Sequence, residues 1–138
     1  MYLIDTNVVS ESRKTSKANP GVIEFFRQVA VNLTPVYLST VTVGELRRGI
    51  ELIRHRGEAS QAGLLEAWLT KILADYRQHI LGFDAEAAQV WGKLRVPDPA
   101  QAIDKQIAAT ALVHDLTVVS RNATDFAGCG VKLLNPFR

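Results

Sequence analysis

The sequence has a single cysteine, Cys129, and no cluster of cysteine and histidine residues. An internal disulfide is therefore impossible, and nothing indicates a zinc site. Cys129 is interpreted as a small, partly buried residue rather than a catalytic thiol. No apolar run approaches the roughly 20 residues that a membrane helix needs. The N-terminal apolar stretch also lacks the basic lead-in and cleavage site of a signal peptide. We therefore expect a cytoplasmic protein without a membrane partner.

Internal repeats and low-complexity segments are absent too. The 138 residues fit one domain over 1–138 with one sizeable core. The net charge of +2 is weak support for a nucleic-acid partner by itself. Basic residues do concentrate in two segments, for which two solvated faces are the favoured interpretation from charge alone. Those residues are Arg13, Lys14 and Lys17 in the first segment and Arg47, Arg48, Arg54, His55 and Arg56 in the second.

Hydrophobic periodicity predicts strands that alternate with helices. Short strands are expected at 2–4, 36–39, 80–83, 116–120 and 131–134, and helices at 22–31, 40–56, 60–78, 84–96 and 100–114. Pro20 suits a first helical turn, and Asp84 suits an N-cap. Strands separated by helices imply crossovers and a mostly parallel sheet with helices on both sides. The predicted fold class is therefore α/β, with three α/β/α layers around about five strands.

The predicted helix at 60–78 carries an apolar stripe two residues wide. One row runs from Leu64 to Tyr76, and Leu65, Leu69 and Leu73 form the row beside it. Such a stripe is most often core packing. Its width is large for the surface helix of a small domain, so we expect part of it to lie at an interface.

Polar residues follow the predicted strands. Asp5 ends the first strand, Ser39 ends the second with Glu45 shortly after it, and Asn122 and Asp125 follow the fourth. The carboxyl ends of parallel strands meet at one edge of a sheet, where ligands bind in such folds. Asp104 lies early in a helix that runs antiparallel to the strands, so it should reach the same edge. The pattern predicts a group of carboxylates there.

Carboxylates that converge repel one another and raise each other's pKa unless a cation lies among them. Oxygen ligands without cysteine or clustered histidine suit Mg²⁺ or Mn²⁺. Such an ion keeps positions open for water and phosphate oxygens, and it can lower the pKa of a bound water. A phosphodiester is the natural substrate for this site. Arg47 and Arg54, in the second basic segment, would then bind neighbouring phosphates.

Each of these polar residues also has a purely structural interpretation. These alternatives are an N-cap for Asp5, an ion pair with Arg48 for Glu45, an ion pair with Lys105 or a helix cap for Asp104, and turn positions for Asn122 and Asp125. The joint pattern argues against all of them being structural together.

Four stretches, in order along nearly the whole chain, resemble the PIN-domain nucleases, and within them the VapC-type toxins of bacterial toxin–antitoxin pairs. They are LIDTN at 3–7, TVGELRRGI around Glu45, DKQIAATAL from Asp104 and VSRNATDF from Val119. The first and third are the more specific. The resemblance implies a PIN-like fold, Mg²⁺ or Mn²⁺ dependence and homodimers. It also implies a cognate antitoxin that blocks the groove, in hetero-oligomers with the toxin.

The resemblance assigns Asp5, Glu45 and Asp104 to the three acidic ligand positions. The family often has a fourth acid, where this chain carries Asn122. The resemblance implies that Asn122 positions a water or a ligand and that Asp125 supplies an outer charge. It further implies that Thr6 and Asn7 orient Asp5 and its water, and that Ser39 hydrogen-bonds near the site.

The favoured hypothesis is a metal-dependent endoribonuclease. Water would attack an RNA phosphodiester in line, leaving a 5′-phosphate and a 3′-hydroxyl. One alternative is a phosphatase with Asp5 as nucleophile, but such enzymes usually carry a second aspartate where this chain has Asn7. Another alternative is a catalytically weak RNA-binding or regulatory module on the same fold. The intact Asp5, Glu45 and Asp104 set argues against that module, and the missing fourth acid favours it.

Overall fold

The computed structural model describes all residues from Met1 to Arg138. Its five strands are β1 (Tyr2–Ile4), β2 (Val36–Ser39), β3 (Ile80–Leu81), β4 (Thr117–Val119) and β5 (Leu133–Leu134). Its six α-helices are α1 (Thr6–Ser12), α2 (Pro20–Val31), α3 (Thr40–His55), α4 (Ala59–Asp75), α5 (Ala85–Leu94) and α6 (Ala102–His114). Two short 3₁₀ turns cover Thr15–Lys17 and Ala123–Phe126.

The five strands form one sheet in the order β3-β2-β1-β4-β5, and every neighbouring pair is parallel. In the register of the central strand, Leu3 is opposite Tyr37 on one side and Val118 on the other. The predicted α/β class with a parallel sheet of about five strands is therefore confirmed. The first strand of the chain lies at the centre of the sheet, which places the residues that follow it in the middle of the carboxyl edge.

Helices cover both faces of the sheet. Alternate residues of each strand point to opposite sides, and the residues on both sides are apolar and buried. Ile4 and Val119 belong to a core cluster with buried residues of α1, α2, α3 and α4. Leu3 and Val118 belong to a second cluster, whose helical members come from α6. The four side chains are fully buried. The molecule is therefore built in three layers, as the periodicity predicted.

A helix that the sequence analysis did not assign begins directly after β1. α1 covers Thr6–Ser12 and buries Val8 and Val9. Asp5 is its N-cap and accepts a hydrogen bond from the Thr6 N–H. β1 ends at Ile4 and α1 begins at Thr6, so Asp5 is the single residue between the strand and the helix.

Other helix ends follow the sequence signals closely. Asp84 accepts a hydrogen bond from the Ala87 N–H and caps α5, as predicted, and Pro20 is the first residue of α2. α6 begins at Ala102 rather than at Ala100, because Gln101 adopts a left-handed backbone conformation with φ of 55°. None of the helices combines the length and the apolar character that crossing a membrane would need.

The apolar stripe of α4 is mainly core packing. Leu69 is fully buried, and Leu65, Trp68, Ile72, Leu73 and Tyr76 pack against the core cluster that contains Ile4. Leu64 is the exception, because 70% of its surface is exposed. Most of the stripe is therefore packed against the core, and Leu64 is the one large residue of the stripe that is mainly exposed.

The C-terminal residues pack on the start of α2. The Asn19 side chain donates to the backbone oxygen of Arg138 and accepts from the Arg138 N–H. A Cβ atom on Gly21 would lie 1.8 Å from the Pro136 carbonyl oxygen, so only glycine permits this approach.

Candidate active site

A cleft of about 250 Å³ opens at the carboxyl edge of the sheet. Three acidic residues from three separate elements line it: Asp5 after β1, Glu45 on α3 and Asp104 on α6. Asn122, which follows β4, lines the same cleft. The structure therefore brings together four of the residues that the strand-end argument placed at this edge, whereas Ser39 and Asp125 do not line the cleft.

Asp5 is held by hydrogen bonds to both carboxylate oxygens. Oδ1 accepts from the Thr6 N–H at 2.8 Å. Oδ2 accepts from the Ser120 hydroxyl at 2.7 Å and from the Asn7 amide at 3.2 Å. The residue is 4% exposed. These donors stabilise the ionised form of a carboxylate that would otherwise be costly to bury.

Further hydrogen bonds hold the groups that donate to Asp5. The Asn7 amide also donates to the Ser120 oxygen at 3.2 Å, and its carbonyl oxygen accepts from the Arg121 N–H at 3.1 Å. The Asn122 N–H donates to the Ser120 oxygen at 3.0 Å. The segment after β4 is thus tied to the segment after β1. Asn7 has the orienting role that the resemblance implied, and its side chain is fully engaged by the protein.

Glu45 and Asp104 have no basic partner. No ion pair joins Glu45 to Arg48 or Asp104 to Lys105. Glu45 lies in the second turn of α3, and Asp104 lies in the first turn of α6, where the helix dipole favours negative charge. The ion-pair alternatives for both residues are therefore wrong. Both carboxylates face the cleft without a compensating cation from the protein.

The electrostatics of the cleft reflect this crowding. Burial raises the pKa of Asp104 to about 6, and the negative charges of Asp5, Asp125 and Glu45 contribute to the rise. Burial also raises the pKa of Asp5, although the hydrogen bonds from Ser120, Thr6 and Asn7 oppose that effect. A positive charge in the cleft would reverse the repulsion that these carboxylates exert on one another.

The donor set fits a hard divalent cation. All candidate ligands are oxygens, as Mg²⁺ and Mn²⁺ prefer. No group of three or more acidic, histidine or cysteine side chains is arranged to hold a metal ion by protein ligands alone. Mg²⁺ typically takes only one or two carboxylates and completes its shell with water and substrate phosphate. The cleft therefore suits an ion that retains part of its water shell.

Thr6, Asn122 and Asp125 occupy different positions around the carboxylates. Thr6 and Asn122 line the cleft. Asp125 lies in the 3₁₀ turn after β4, and its charge raises the pKa of both Asp5 and Asp104. Asp125 thus acts on the site through its charge, in keeping with the outer position that the resemblance implied.

Three predicted substrate-binding residues do not line the cleft. Ser39 is fully buried, and its hydroxyl accepts from the Val41 N–H as the N-cap of α3. Arg47 and Arg54 both pair with Glu51 on α3 and with Glu66 on α4. The geometry explains Ser39 as a helix cap and the two arginines as part of an exposed ion-pair network between helices.

Two residues near the cleft were not assigned to the site from the sequence. Ser120 holds Asp5, and its position directly after β4 was the available signal. Arg13 lines a second cavity of about 270 Å³ that shares Thr6 and Glu45 with the cleft. This cavity has apolar walls from Leu46, Ile50, Ile53, Leu65 and Trp68. Arg13 has no acidic partner among the ion pairs, so its charge is unpaired in the cavity that shares Thr6 and Glu45 with the cleft.

Comparison with known proteins agrees with this geometry. The chain is 34% identical to toxin FitB of Neisseria gonorrhoeae, with 99% of each chain covered. It is 29% identical to a VapC ribonuclease of Sinorhizobium fredii, with 99% of this chain and 98% of the relative covered. The solved structure of FitAcB from N. gonorrhoeae has a TM-score of 0.85 at 33% identity, covering 99% of this chain and 98% of that one.

A toxin–antitoxin complex from Klebsiella pneumoniae, at 21% identity, shares the fold with a TM-score of 0.66, covering 100% of this chain and 99% of that one. The family model described as PIN domain matches residues 2–128. That match spans β1 to the 3₁₀ turn after β4 and includes every residue that lines the carboxylate cleft. The chain therefore belongs to the PIN-domain family.

Proposed function

We propose that this chain is the toxin of a toxin–antitoxin pair and acts as a metal-dependent endoribonuclease. The observation that carries the proposal is the cleft in which Asp5, Glu45 and Asp104 converge without a basic partner. Carboxylates in this arrangement serve phosphodiester hydrolysis when a divalent ion lies among them. The relatives named as a toxin and as a ribonuclease support the same reading.

Each residue of the cleft would have a defined task. Asp5, Glu45 and Asp104 would hold the metal, directly or through water. Ser120, Asn7 and the Thr6 N–H favour the ionised form of Asp5 and fix its orientation, because they donate to its oxygens. When bound, Mg²⁺ or Mn²⁺ would supply charge neutralisation at the phosphate and a lowered pKa for the attacking water.

Asn122 and Arg13 are the groups that we expect to contact the substrate strand beside the carboxylates. The Asn122 side chain lies in the cleft, where it can orient a water or a phosphate oxygen. Arg13 lines the cavity that shares Glu45 with the cleft, and there it can bind a phosphate of the same strand. In-line attack of water on RNA would then leave a 5′-phosphate and a 3′-hydroxyl.

The proposed partner is a cognate antitoxin, which would inhibit the enzyme by occupying the groove. The toxin–antitoxin complex with the same fold supports this assignment. We also propose that the toxin forms homodimers. The apolar cavity lined by α1, α3 and α4 shares Thr6 and Glu45 with the cleft, so an antitoxin segment bound there would lie beside the carboxylates.

The proposal is tested by cleavage of a labelled RNA pool with the purified, antitoxin-free protein. The reactions contain Mg²⁺, Mn²⁺ or EDTA and are run beside Asp5→Asn. The variant should fold, because asparagine is also a good N-cap. We expect cutting that needs the metal and that is lost in the variant.

The matched control is Asp115→Asn, which makes the same chemical change at an exposed position. Asp115 ends α6 in a left-handed conformation that asparagine also adopts readily. This control should cleave at the wild-type rate. A folded wild-type protein that cuts no RNA with either metal would refute the nuclease and favour the non-catalytic RNA-binding module.

A further inference from the structure

Lys105 is a buried lysine without an acidic partner. Its residue is only 9% exposed, and it takes part in no ion pair. The Nζ atom donates to the Asp98 carbonyl oxygen at 2.5 Å. An ammonium group has three donors, and this contact uses one of them. A lysine buried in this way is costly unless something else satisfies the remaining donors.

The lysine lies in the wall of a cavity of about 340 Å³. The polar lining includes Gln101 and Thr124, and the acidic residues Asp98 and Asp125 lie in the same wall. Leu94, Val96 and Pro97 add apolar surface. The cavity therefore offers hydrogen-bond donors, acceptors and a nonpolar side within one space.

This cavity is next to the carboxylate cleft. Lys105 follows Asp104, and the two neighbours on α6 line the two different spaces. Thr124 and Asp125 likewise follow Asn122, which lines the cleft. A strand whose phosphate lies in the cleft could place an adjoining nucleotide in the second cavity.

The lining chemistry distinguishes between parts of a nucleotide. A phosphate would accept from Lys105 but would be repelled by Asp98 and Asp125. A base with acceptors on one edge and donors on the other suits the cavity, because the acceptors can face Lys105 and the donors can face Asp98 or Asp125. Guanine has acceptors at O6 and N7 and donor groups at N1 and N2, and lysine commonly binds the O6/N7 pair. Unstacked bases of single-stranded RNA are recognised in pockets of this kind.

We propose that the cavity around Lys105 binds a guanine base of the RNA substrate next to the scissile phosphate. Lys105 donates to the O6/N7 edge, and carboxylates of the same cavity accept from the opposite edge. This inference rests on the proposed nuclease function and deepens it by assigning a base preference. Lys105 is a specificity-determining residue in this scheme and takes no part in the chemical step.

The test measures binding of short labelled uridine-rich RNAs that contain one central guanosine, adenosine, 7-deazaguanosine or inosine. The fluorescence anisotropy titrations contain Ca²⁺ in place of Mg²⁺ or Mn²⁺, so that a divalent charge can lie beside the phosphate, and gel electrophoresis checks that the strand stays intact. 7-Deazaguanosine lacks the N7 acceptor, and inosine lacks the N2 donor. We expect the guanosine RNA to bind wild type about tenfold more tightly than either analogue or the adenosine RNA. The Lys105→Met variant should bind the guanosine RNA and the 7-deazaguanosine RNA with equal affinity, because it lacks the ammonium group that donates to N7.

Lys132→Met is the matched control, because it removes the same charge from a side chain that is 74% exposed. It should keep the guanosine preference. Equal affinity of the wild-type protein for all four RNAs would overturn the proposal, whether or not the Lys105 variant folds. A folded Lys105→Met protein that retains the full preference would also overturn it.

Cleavage of the same RNAs with Mg²⁺ or Mn²⁺ separates this inference from the nuclease proposal. Guanosine-selective binding without any cutting would support the base pocket and refute the nuclease. Cutting without guanosine selectivity would support the nuclease and refute the pocket.

Discussion

Replacing Asp104 with asparagine is expected to stabilise the metal-free protein while removing its response to divalent cations. Asp104 shares the cleft with Asp5 and Glu45, and its pKa rises from the ordinary value of 3.8 to about 6. An acid with a raised folded-state pKa is penalised when it ionises. Ionisation of Asp104 therefore lowers the free energy of unfolding; this loss is absent below about pH 4 and complete above about pH 6. The Asp104→Asn variant has no charge to penalise.

The size of the effect follows from the same shift. A rise from 3.8 to about 6 corresponds to roughly 3 kcal/mol in the free energy of unfolding. Asp104 is only half-buried, so solvent screening reduces this to about 1.5 kcal/mol. Loss of the favourable charge in the first turn of α6 costs about 0.5 kcal/mol. The net gain of about 1 kcal/mol should raise Tm by roughly 3–5 °C.

The assay is thermal unfolding in EDTA between pH 4 and pH 8. The difference in Tm between Asp104→Asn and wild type should be largest above pH 6 and should vanish near pH 4. Added Mg²⁺ or Mn²⁺ should raise Tm of the wild type but not of the variant, because only a protein that binds the ion gains stability from it.

Asp115→Asn again serves as the control and should change neither result. The reasoning would be refuted if Asp104→Asn lowered Tm in EDTA at pH 7.5. It would also be refuted if the variant responded to the metals as the wild type does.

Three further predictions follow from individual contacts. Ser120→Ala removes a donor that lowers the pKa of Asp5, so the acidic limb of the pH–rate profile should move to higher pH; an unmoved limb would contradict this. Arg13→Gln should reduce the slope of log Kd against log salt concentration for RNA binding by about one unit. Arg54→Gln should change this slope less, because Arg54 is already paired with Glu51 and Glu66. The same slope for Arg13→Gln and wild type would show that Arg13 does not contact RNA. Gly21→Ala should lower stability by about 1–3 kcal/mol in chemical denaturation, because its methyl group meets the Pro136 carbonyl; an unchanged midpoint would show that the C-terminal residues move aside freely.

The sheet and the carboxylate cleft were predictable from the sequence because both depend on patterns along the chain. Apolar runs separated by helical periods predicted parallel strands, and parallel strands share one carboxyl edge. Asp5, Glu45 and Asp104 could therefore be placed together from their positions relative to the strands. The exception was α1, whose short sequence after Asp5 includes two β-branched valines, Val8 and Val9, that are poor helix formers.

Contacts between distant segments were not predictable in the same way. Ser120 reaches Asp5 across 115 positions, and its place after β4 indicates the shared sheet edge but not the hydrogen bond itself. Lys105 was interpreted as a possible ion-pair partner of Asp104, whereas the rotation of α6 buries it against the Asp98 carbonyl. Arg47 and Arg54 were expected to bind phosphate because they lie in a basic segment. The sequence did not show that Glu66, on the next helix, pairs with both of them. In each case, packing between elements decides which way a side chain faces.

The central position of β1 has a consequence for the order in which the site can be completed during synthesis. β1 is translated before the other four strands, but one of its two neighbours in the sheet is β4, the fourth strand along the chain. Ser120, which holds the Asp5 carboxylate, is translated later still. A nascent chain that has not released residue 120 therefore lacks both the strand and the hydroxyl that organise the cleft. The Asp5 carboxylate is therefore fixed in place only after the segment that follows β4 has been translated and has folded against β1.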